Sequence, residues 1–238
     1  QYYERKVLVD VGIGTKWSDK ERGIYKIGDQ DPSLEGALGA QGLEPEDIDD
    51  VVLTHLHFDH AGGVSRFAED GETIEATFPN ATHWLQRRNW SWANDPSPRD
   101  EGSFRRKDFR FFEESDDAPE LKLVDGIDEI MPGIEVLPQH GHTFGMQAVK
   151  ITTASNTFVY LADLIPTTSH LGDPYVMGYD IQPLVTVEEK REMLYRAERN
   201  DWILFFEHDP EQAFARVDLG GDKPRAVAVE GGEIPAVG

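Results

Sequence analysis

Residues 51–63 read VVLTHLHFDHAGG, and this stretch decides how the whole sequence is interpreted. Residues 51–54 are mostly β-branched and apolar, which predicts a short buried strand. Three histidines and an aspartate follow it within six residues, as His55, His57, Asp59 and His60. With 8 histidines in 238 residues, such a pattern is expected by chance on the order of 0.001 times in a random chain of this length. The stretch therefore predicts a functional site at the end of a strand.

The spacing of these side chains is typical of metal binding. In an extended loop, residues two apart point to the same side, so His55 and His57 can hold one metal ion. Asp59 and His60 lie on the following turn and can face a second position. Because the sequence has no cysteine, imidazole and carboxylate groups must supply the ligands, and this donor set favours zinc.

Four ligands from one loop cannot surround two ions, so others must come from elsewhere in the chain. Three candidates each follow a predicted strand: His142 in QHGHTFG, Asp163 in VYLADLIP and His208 in FFEHDP. A carboxylate such as Asp163 has two oxygens and can bridge two cations. Water held between two such cations is acidified toward hydroxide at neutral pH, which supplies a nucleophile without serine or cysteine.

Length and composition favour one globular domain over residues 1–238. No apolar run approaches the roughly 20 residues needed to cross a bilayer, and the start QYYERKVLVDVG lacks the apolar region of a secretory signal. We therefore predict a cytoplasmic protein without membrane association. Because the sequence does not begin with methionine, what precedes Gln1 stays open.

The formal net charge of −22 disfavours polyanionic partners. A nucleic-acid binder needs lysine and arginine to neutralise phosphates, and the one basic cluster, residues 105–107, lies in a segment rich in aspartate and glutamate. A small neutral partner is therefore expected.

Periodicity along the chain predicts an α/β fold. Short β-rich runs recur in both halves with helices between them, which indicates sheets packed together and covered by helices. Thr186 and Glu189 have the spacing of a capping box for a helix that runs to about Asn200. Residues 95–118 mix charges with four phenylalanines, and we interpret this stretch as an excursion that folds back onto the body and could form a lid.

The motif HxHxDH, followed at a distance by GHT, an aspartate and a histidine, closely resembles the metallo-β-lactamase-fold hydrolases. The resemblance implies a four-layered αββα sandwich, and it leaves open whether the first strands are missing before the strand predicted at residues 6–12. The stretches THLHFDHAGG, ADLIPTTSHL, VMGYD and FFEHDP are most similar to the branch that contains acyl-homoserine lactone lactonases and methyl parathion hydrolase. By this resemblance one metal would be held by His55, His57 and His142, the other by Asp59, His60 and His208, and both by Asp163.

The resemblance also implies the chemistry: a dinuclear metal-dependent hydrolase whose bridging hydroxide attacks a lactone, a carboxylic ester or a phosphotriester. Two Zn²⁺ ions are expected, with other divalent transition metals as alternatives, and Asp59 and Asp163 would take part in catalysis. Lactonases of this branch often carry a tyrosine three positions after the bridging aspartate, where this sequence has Pro166. Tyr179 is a possible substitute.

Four further side chains are candidates for contact with the substrate. They are Phe58, between the ligands of the motif, His170, Met177 and Tyr179. Large aromatic residues more often belong to the core, and lone histidines more often make ordinary hydrogen bonds. A homodimer is a further possibility.

Three other functions have to be weighed against hydrolysis of a small ester. A redox enzyme is one, but di-iron members of the family typically replace the second histidine of the motif with glutamate, and here it is His57. A nuclease of the tRNA-trimming type shares the motif, but the acidic charge disfavours it. A protein that keeps metal only for structure is the third, although structural zinc sites are normally closed and four-coordinate.

Overall fold

The computed structural model describes residues 5–28 and 33–229. The chain divides into two compact units, Gln1–Val124 and Asp125–Gly238. Each unit has its own sheet and its own cluster of buried apolar side chains. The single domain expected over residues 1–238 stays a prediction.

The first unit is built on a parallel sheet. Its four strands are hydrogen-bonded in the order β1 (Val7–Val9), β2 (Asp50–Val52), β5 (Thr82–Gln86) and β6 (Leu121–Val124). A separate antiparallel pair consists of β3 (Ser65–Phe67) and β4 (Ile74–Ala76). The helices are α1 (Asp19–Tyr25), α2 (Leu34–Ala40), α3 (Phe58–Ala61), α4 (Arg87–Asn94), α5 (Arg106–Phe109) and α6 (Phe111–Glu114). All three residues of β2 are buried, as expected for an inner strand of a parallel sheet.

The histidine motif follows β2 and is packed against the chain that leaves β1. Gly62 and Gly63 lie directly after α3, where any Cβ atom would collide with the backbone carbonyls of Ile13 and Val11. Only glycine permits this approach. The two glycines therefore bring the motif and the carboxyl end of β1 side by side.

The segment 95–118 folds onto the first unit through its aromatic residues. It contains a 3-10 turn at Glu101–Ser103, followed by α5 and α6. Phe104, Phe109 and Phe111 are buried. The buried Asp108 carboxylate lies 3.3 Å from the ammonium of Lys16, which also donates to the Gly62 carbonyl at 2.8 Å. The aromatic residues do fold back as expected, whereas movement of the segment as a lid stays a prediction.

The second unit is built on a seven-stranded sheet with the order β13-β12-β11-β10-β9-β8-β7. The strands are β7 (Asp128–Met131), β8 (Ile134–Gln139), β9 (Met146–Thr152), β10 (Thr157–Tyr160), β11 (Ile203–Phe205), β12 (Phe214–Asp218) and β13 (Arg225–Ala228). β10 and β11 are parallel, and the other neighbouring pairs are antiparallel. The long helix α7 (Pro183–Arg199) lies in the connection between β10 and β11, because a parallel pair of strands requires a crossover connection.

The predicted start of α7 is wrong by four residues, because the N-cap residue is Gln182 and not Thr186. Pro183 occupies the first turn, where its fixed φ favours helix and its missing N–H costs nothing. Thr186 therefore lies inside the helix, and its hydroxyl donates to the Gln182 carbonyl at 3.4 Å instead of capping. The helix buries Met193, Leu194 and Ala197.

Glu189, predicted as the second member of the capping box, has a tertiary role. Its two carboxylate oxygens accept hydrogen bonds from the backbone N–H groups of His140 and Gly141, at 2.7 and 2.9 Å. A Cβ atom on Gly141 would collide with Thr186. The end of β8 is thus fixed against α7 by glutamate and glycine together.

Among the helices of residues 5–28 and 33–229, none has both the length and the apolar character that crossing a membrane demands.

Candidate metal centre

The three histidines of the motif lie together in the first unit. His55 and His57 are buried, and their ligand atoms lie within 4.8 Å of one another. The ring centroids of His55 and His60 are 4.0 Å apart, and those of His55 and His57 are 4.5 Å apart. His57 is the N-cap residue of α3, so the chain changes from extended to helical within the motif. Because of this change, His55 and His57, which are two residues apart, can face the same region as Asp59 and His60, which are adjacent.

Asp59 lies in the first turn of α3, with its side chain 32% exposed. Its Oδ2 atom is 3.9 Å from Nε2 of His60. The structure therefore brings all four predicted residues of the motif into one cluster of imidazole and carboxylate groups.

Asp10 and Thr54 orient this cluster, and the sequence reasoning missed both. Asp10 follows β1, and its Oδ2 atom is 2.9 Å from Nδ1 of His60 and accepts a hydrogen bond from the Thr54 hydroxyl at 2.7 Å. The same hydroxyl lies 3.0 Å from Nδ1 of His55. Contacts on Nδ1 fix each ring and direct its Nε2 atom toward a metal, which is how carboxylates support histidine ligands. An aspartate just after a strand, in VLVDVG, was the available signal.

In the second unit, Asp163 lies between two imidazoles. Its Oδ2 atom is 3.0 Å from Nε2 of His142, and its Oδ1 atom is 3.2 Å from Nε2 of His208. Each carboxylate oxygen thus faces a different ring. His142 follows β8, Asp163 follows β10 and His208 follows β11, so three strand ends supply the three groups as the sequence predicted.

Backbone strain occurs at one carboxylate residue of the site, Asp10, and immediately before another, Asp163. Ala162, which precedes Asp163, has φ 46°, and Asp10 has φ 54°. Positive φ is costly for residues other than glycine and persists where the surroundings impose it. Asp163 itself lies in the buried 3-10 turn Ala162–Leu164. The strained residues therefore lie where the backbone sets the orientation of these two carboxylates.

Two further carboxylates contact the histidines of the second unit, and neither was among the predicted site residues. Asp180 Oδ1 is 2.9 Å from Nδ1 of His142, opposite the nitrogen that faces Asp163. Glu207 Oε1 is 3.0 Å from Nε2 of His208, and the ligand atoms of Asp163, Glu207 and His208 lie within 4.8 Å of one another. Both residues occur in the motifs VMGYD and FFEHDP, and only their tertiary neighbours reveal their roles.

The carboxylates make this part of the second unit favourable for positive charge. Burial alone would lower the pKa of His142, but Asp163 and Asp180 outweigh burial and raise that pKa to about 9. Hydrogen bonds to Asp163 and Glu207 raise the pKa of His208 to about 10. A site that attracts a proton between imidazole and carboxylate also suits a divalent cation, because the same lone pairs serve as ligands. The donor set, nitrogen with carboxylate oxygen, fits zinc or a similar ion.

The four predicted substrate-binding residues have different surroundings. Phe58 in the first unit packs edge-on against Trp17 and Tyr25, with ring centroids 5.3 and 5.2 Å apart. In the second unit His170 ends a 3-10 turn, and its Nδ1 atom is 2.8 Å from the Thr167 hydroxyl. Met177 is half-buried and Tyr179 is exposed. Their contact with substrate stays a prediction.

The chain is similar in sequence and in structure to known proteins. Residues 4–208 match the model of the metallo-beta-lactamase superfamily. The N-acyl homoserine lactonase AttM of Rhizobium radiobacter is 28% identical over 196 residues, which span 79% of this chain and 68% of AttM. A structure from Staphylococcus aureus, described as a probable metal-dependent hydrolase, superposes with a TM-score of 0.83 at 28% identity and covers 97% of this chain and 80% of its own.

A third protein, AidC, is described as a dizinc quorum-quenching lactonase in complex with a product that is an N-acylated L-homoserine. It superposes with a TM-score of 0.75 at 20% identity, over 96% of this chain and 77% of AidC, a likeness that concerns the fold. The predicted α/β fold class, the resemblance to this family and the enzyme class, a metal-dependent hydrolase, are confirmed.

Proposed function

Since the chain belongs to the metallo-β-lactamase superfamily, we propose that it is a dinuclear hydrolase that opens small neutral lactones. The first unit would contribute His55, His57, Asp59 and His60, and the second would contribute His142, Asp163 and His208. In this proposal His142 completes the first metal site, His208 completes the second, and Asp163 belongs to both. Two zinc ions are the proposed metals, and AidC is a protein of the same fold that is described as holding two.

The observation that carries the proposal is the position of Asp163. Its two oxygens face two different imidazoles at 3.0 and 3.2 Å, and its side chain is only 3% exposed. A single ligand oxygen would suffice for one metal, whereas two divergent contacts are what a bridging carboxylate requires. Divalent ions held by these residues would supply a water of lowered pKa and would polarise the oxygen of the ester under attack.

The residues of this chain have separate tasks in that reaction. Asp10 and Asp180 hold His60 and His142 through their Nδ1 atoms, so each ring is fixed in orientation and its Nε2 atom would be available as a metal ligand. Asp59, partly exposed in the first turn of α3, is the proposed acceptor that orients the attacking water. Apart from Asp59 and His208, the side chains of the proposed site are buried, which strengthens their electrostatic effect on the substrate.

Lactones are the proposed substrate class because AttM is named as an N-acyl homoserine lactonase. A second candidate class, carboxylic esters and phosphotriesters, is favoured by Pro166. This residue has no side-chain donor where lactonases of the branch often have tyrosine, and its carbonyl accepts from the His208 N–H at 3.2 Å. Tyr179 is the proposed replacement, since its phenol is exposed and can reach a bound ligand without breaking a core contact.

The proposal is tested by counting metal and comparing substrates on the same preparation. We expect about two zinc ions per chain by elemental analysis, and a higher kcat/KM for N-hexanoyl homoserine lactone than for p-nitrophenyl butyrate or paraoxon. Removal of metal with a chelator should abolish all three activities, and zinc should restore them. A protein that binds one ion or none would contradict the dinuclear site. Preference for paraoxon would replace the lactone assignment with the second class.

Net charge supplies an independent check on substrate class. At −22, distant carboxylates repel polyanions, whereas contacts at the metals act only at short range. Raising the salt from 0.01 to 0.1 M shortens the Debye length from ~30 to ~10 Å, so rates with neutral substrates should change little. Cleavage of a structured RNA at low salt as fast as the best small ester would support a nuclease instead. A cytoplasmic location and a homodimer stay predictions.

A further inference from the structure

The second unit contains a buried lysine that the metal chemistry does not use. Lys190 lies on α7, and its side chain is 0% exposed. Lysine is almost never fully buried without partners, because an ammonium group loses its hydration there. The partners of Lys190 are all backbone carbonyls of one short stretch of chain.

Three short hydrogen bonds use all the donors of the Lys190 ammonium. It donates to the carbonyls of His170 at 3.0 Å, Gly172 at 2.8 Å and Tyr175 at 2.9 Å, with the carbonyl of Asp173 at 3.4 Å. An ammonium group has three N–H donors and accepts none. Residues 170–175 therefore curl around the ammonium as a carbonyl ring would surround a bound cation.

This carbonyl ring lies in the middle of a segment whose two ends grip one histidine. The segment begins at Asp163, which faces Nε2 of His142, and ends at Asp180, which faces Nδ1 of the same ring. The end is fixed further, because the N–H groups of Ile181 and Gln182 donate to the carbonyls of His142 and Gly141. Lys190 holds the middle of the segment, between these two fixed ends.

We propose that Lys190 is a positioning residue: its ammonium occupies the carbonyl ring of residues 170–175 in place of a cation and holds the segment 163–180 in the conformation that binds substrate. The effect on substrate rests on the proposed function, since His170, Met177 and Tyr179 lie in this segment. Asp163 is held separately by its buried turn. Loss of the ammonium is therefore expected to act mainly on KM and to leave metal binding intact.

The absence of cysteine from the sequence allows a clean test. In Lys190→Cys the new thiol is the only one, so it can be alkylated selectively in urea before the full chain is refolded with zinc. Alkylation with 2-bromoethylamine restores a side chain of lysine length with its ammonium, whereas 1-bromopropane gives the same length without charge. Arg191→Ala is the matched control, because Arg191 contacts the same segment only at the surface, through Asp173 at 2.6 Å.

We expect the aminoethyl form to regain the slow amide exchange of the unaltered protein over residues 170–176, and the propyl form to exchange at least about tenfold faster there. KM for the best ester should be higher in the propyl form by about tenfold, with kcat and zinc content little changed. Arg191→Ala should match the unaltered protein. A propyl form that fails to refold while the aminoethyl form succeeds supports the ammonium as the holding group.

Two results would overturn the proposal. Equal exchange and equal KM in the aminoethyl and propyl forms would show that packing of the stem, not the ammonium, holds the segment. Different exchange with the same KM would remove the role in substrate binding. Exchange and zinc content are measured without substrate, so they separate this proposal from a failure of the lactone assignment.

Discussion

The two units present candidate metal ligands of the same kind in opposite ways. In the first, His55, His57, Asp59 and His60 come from one loop after one strand. In the second, His142, Asp163 and His208 come from three strand ends that are far apart in the sequence. A contiguous motif is positioned by local turns, whereas a dispersed set depends on the register of a whole sheet. The second set is therefore the more sensitive to tertiary structure.

The charges around the two sets differ as well. The imidazoles of the first unit are packed against one another and are supported mainly by Asp10. Those of the second unit are enclosed by Asp163, Asp180 and Glu207. The second unit thus supplies most of the negative charge that a pair of dications would require.

The largest effect should come from breaking the dispersed set at its centre. Asp163→Ala removes the proposed bridge, so we expect loss of both metals and a decrease in kcat/KM on the order of 10³-fold or more. The matched variant in the contiguous set, His57→Ala, should lose the first metal and retain the second. Elemental analysis and steady-state kinetics on both variants measure the difference. Full activity with two metals in Asp163→Ala would refute the bridge.

A second comparison uses the opposite pKa shifts of two buried histidines. Burial lowers the pKa of His83 to about 4, whereas the carboxylates of the second unit raise the pKa of His142 to about 9. His83 donates to the Ala81 carbonyl at 3.1 Å and packs edge-on against Phe112, with no charged partner within the described chain. An unfolded histidine has a pKa of about 6.5. Between pH values of about 4 and about 6.5, His83 therefore binds a proton in the unfolded chain but not in the folded chain.

The free energy of unfolding should therefore decrease as the pH falls from about 6.5 to about 4, by at most about 3 kcal/mol from this group. Above pH 6.5 His83 should contribute no pH dependence. His83→Gln, which keeps a donor for Ala81 but does not titrate, should show a shallower acid dependence in urea unfolding at pH 7 and pH 4.5. Identical slopes in the two proteins would show that His83 is not the group responsible.

The smallest effects are expected from replacing the carboxylates that orient histidines through their Nδ1 atoms. Asp10→Asn in the first unit and Asp180→Asn in the second preserve shape but weaken the contacts to His60 and His142. We expect metal affinity to decrease about 10- to 100-fold in each, measured by competition with a chromophoric chelator. Asp128→Asn, at an exposed position of β7, is the control. A difference between the units would show which set depends more on this support.

Much of the secondary structure was predictable because its signals are local. The buried strand predicted at residues 51–54 and the strand predicted at residues 6–12 are confirmed by β2 and β1, although both strands are shorter than the predicted runs. The strands β12 and β13 were missed, and β13 lies at the edge of its sheet, where most of its residues are exposed. The start of α7 was assigned wrongly because the capping-box pattern at Thr186 is outweighed by Pro183.

The sequence by itself determined the family, the enzyme class and the chemical nature of the candidate ligands, because three histidines and an aspartate within six residues are enough to indicate metal binding. Only the tertiary structure decided which carboxylates support those ligands. Asp10 and Asp180 have no distinctive spacing, and their roles arise from 2.9 Å contacts with His60 and His142, which are far away in the sequence. The role of Lys190 likewise depends on where four carbonyls converge. Local patterns encode ligand type and turn geometry, whereas support comes from packing between distant segments, which no short stretch of sequence contains.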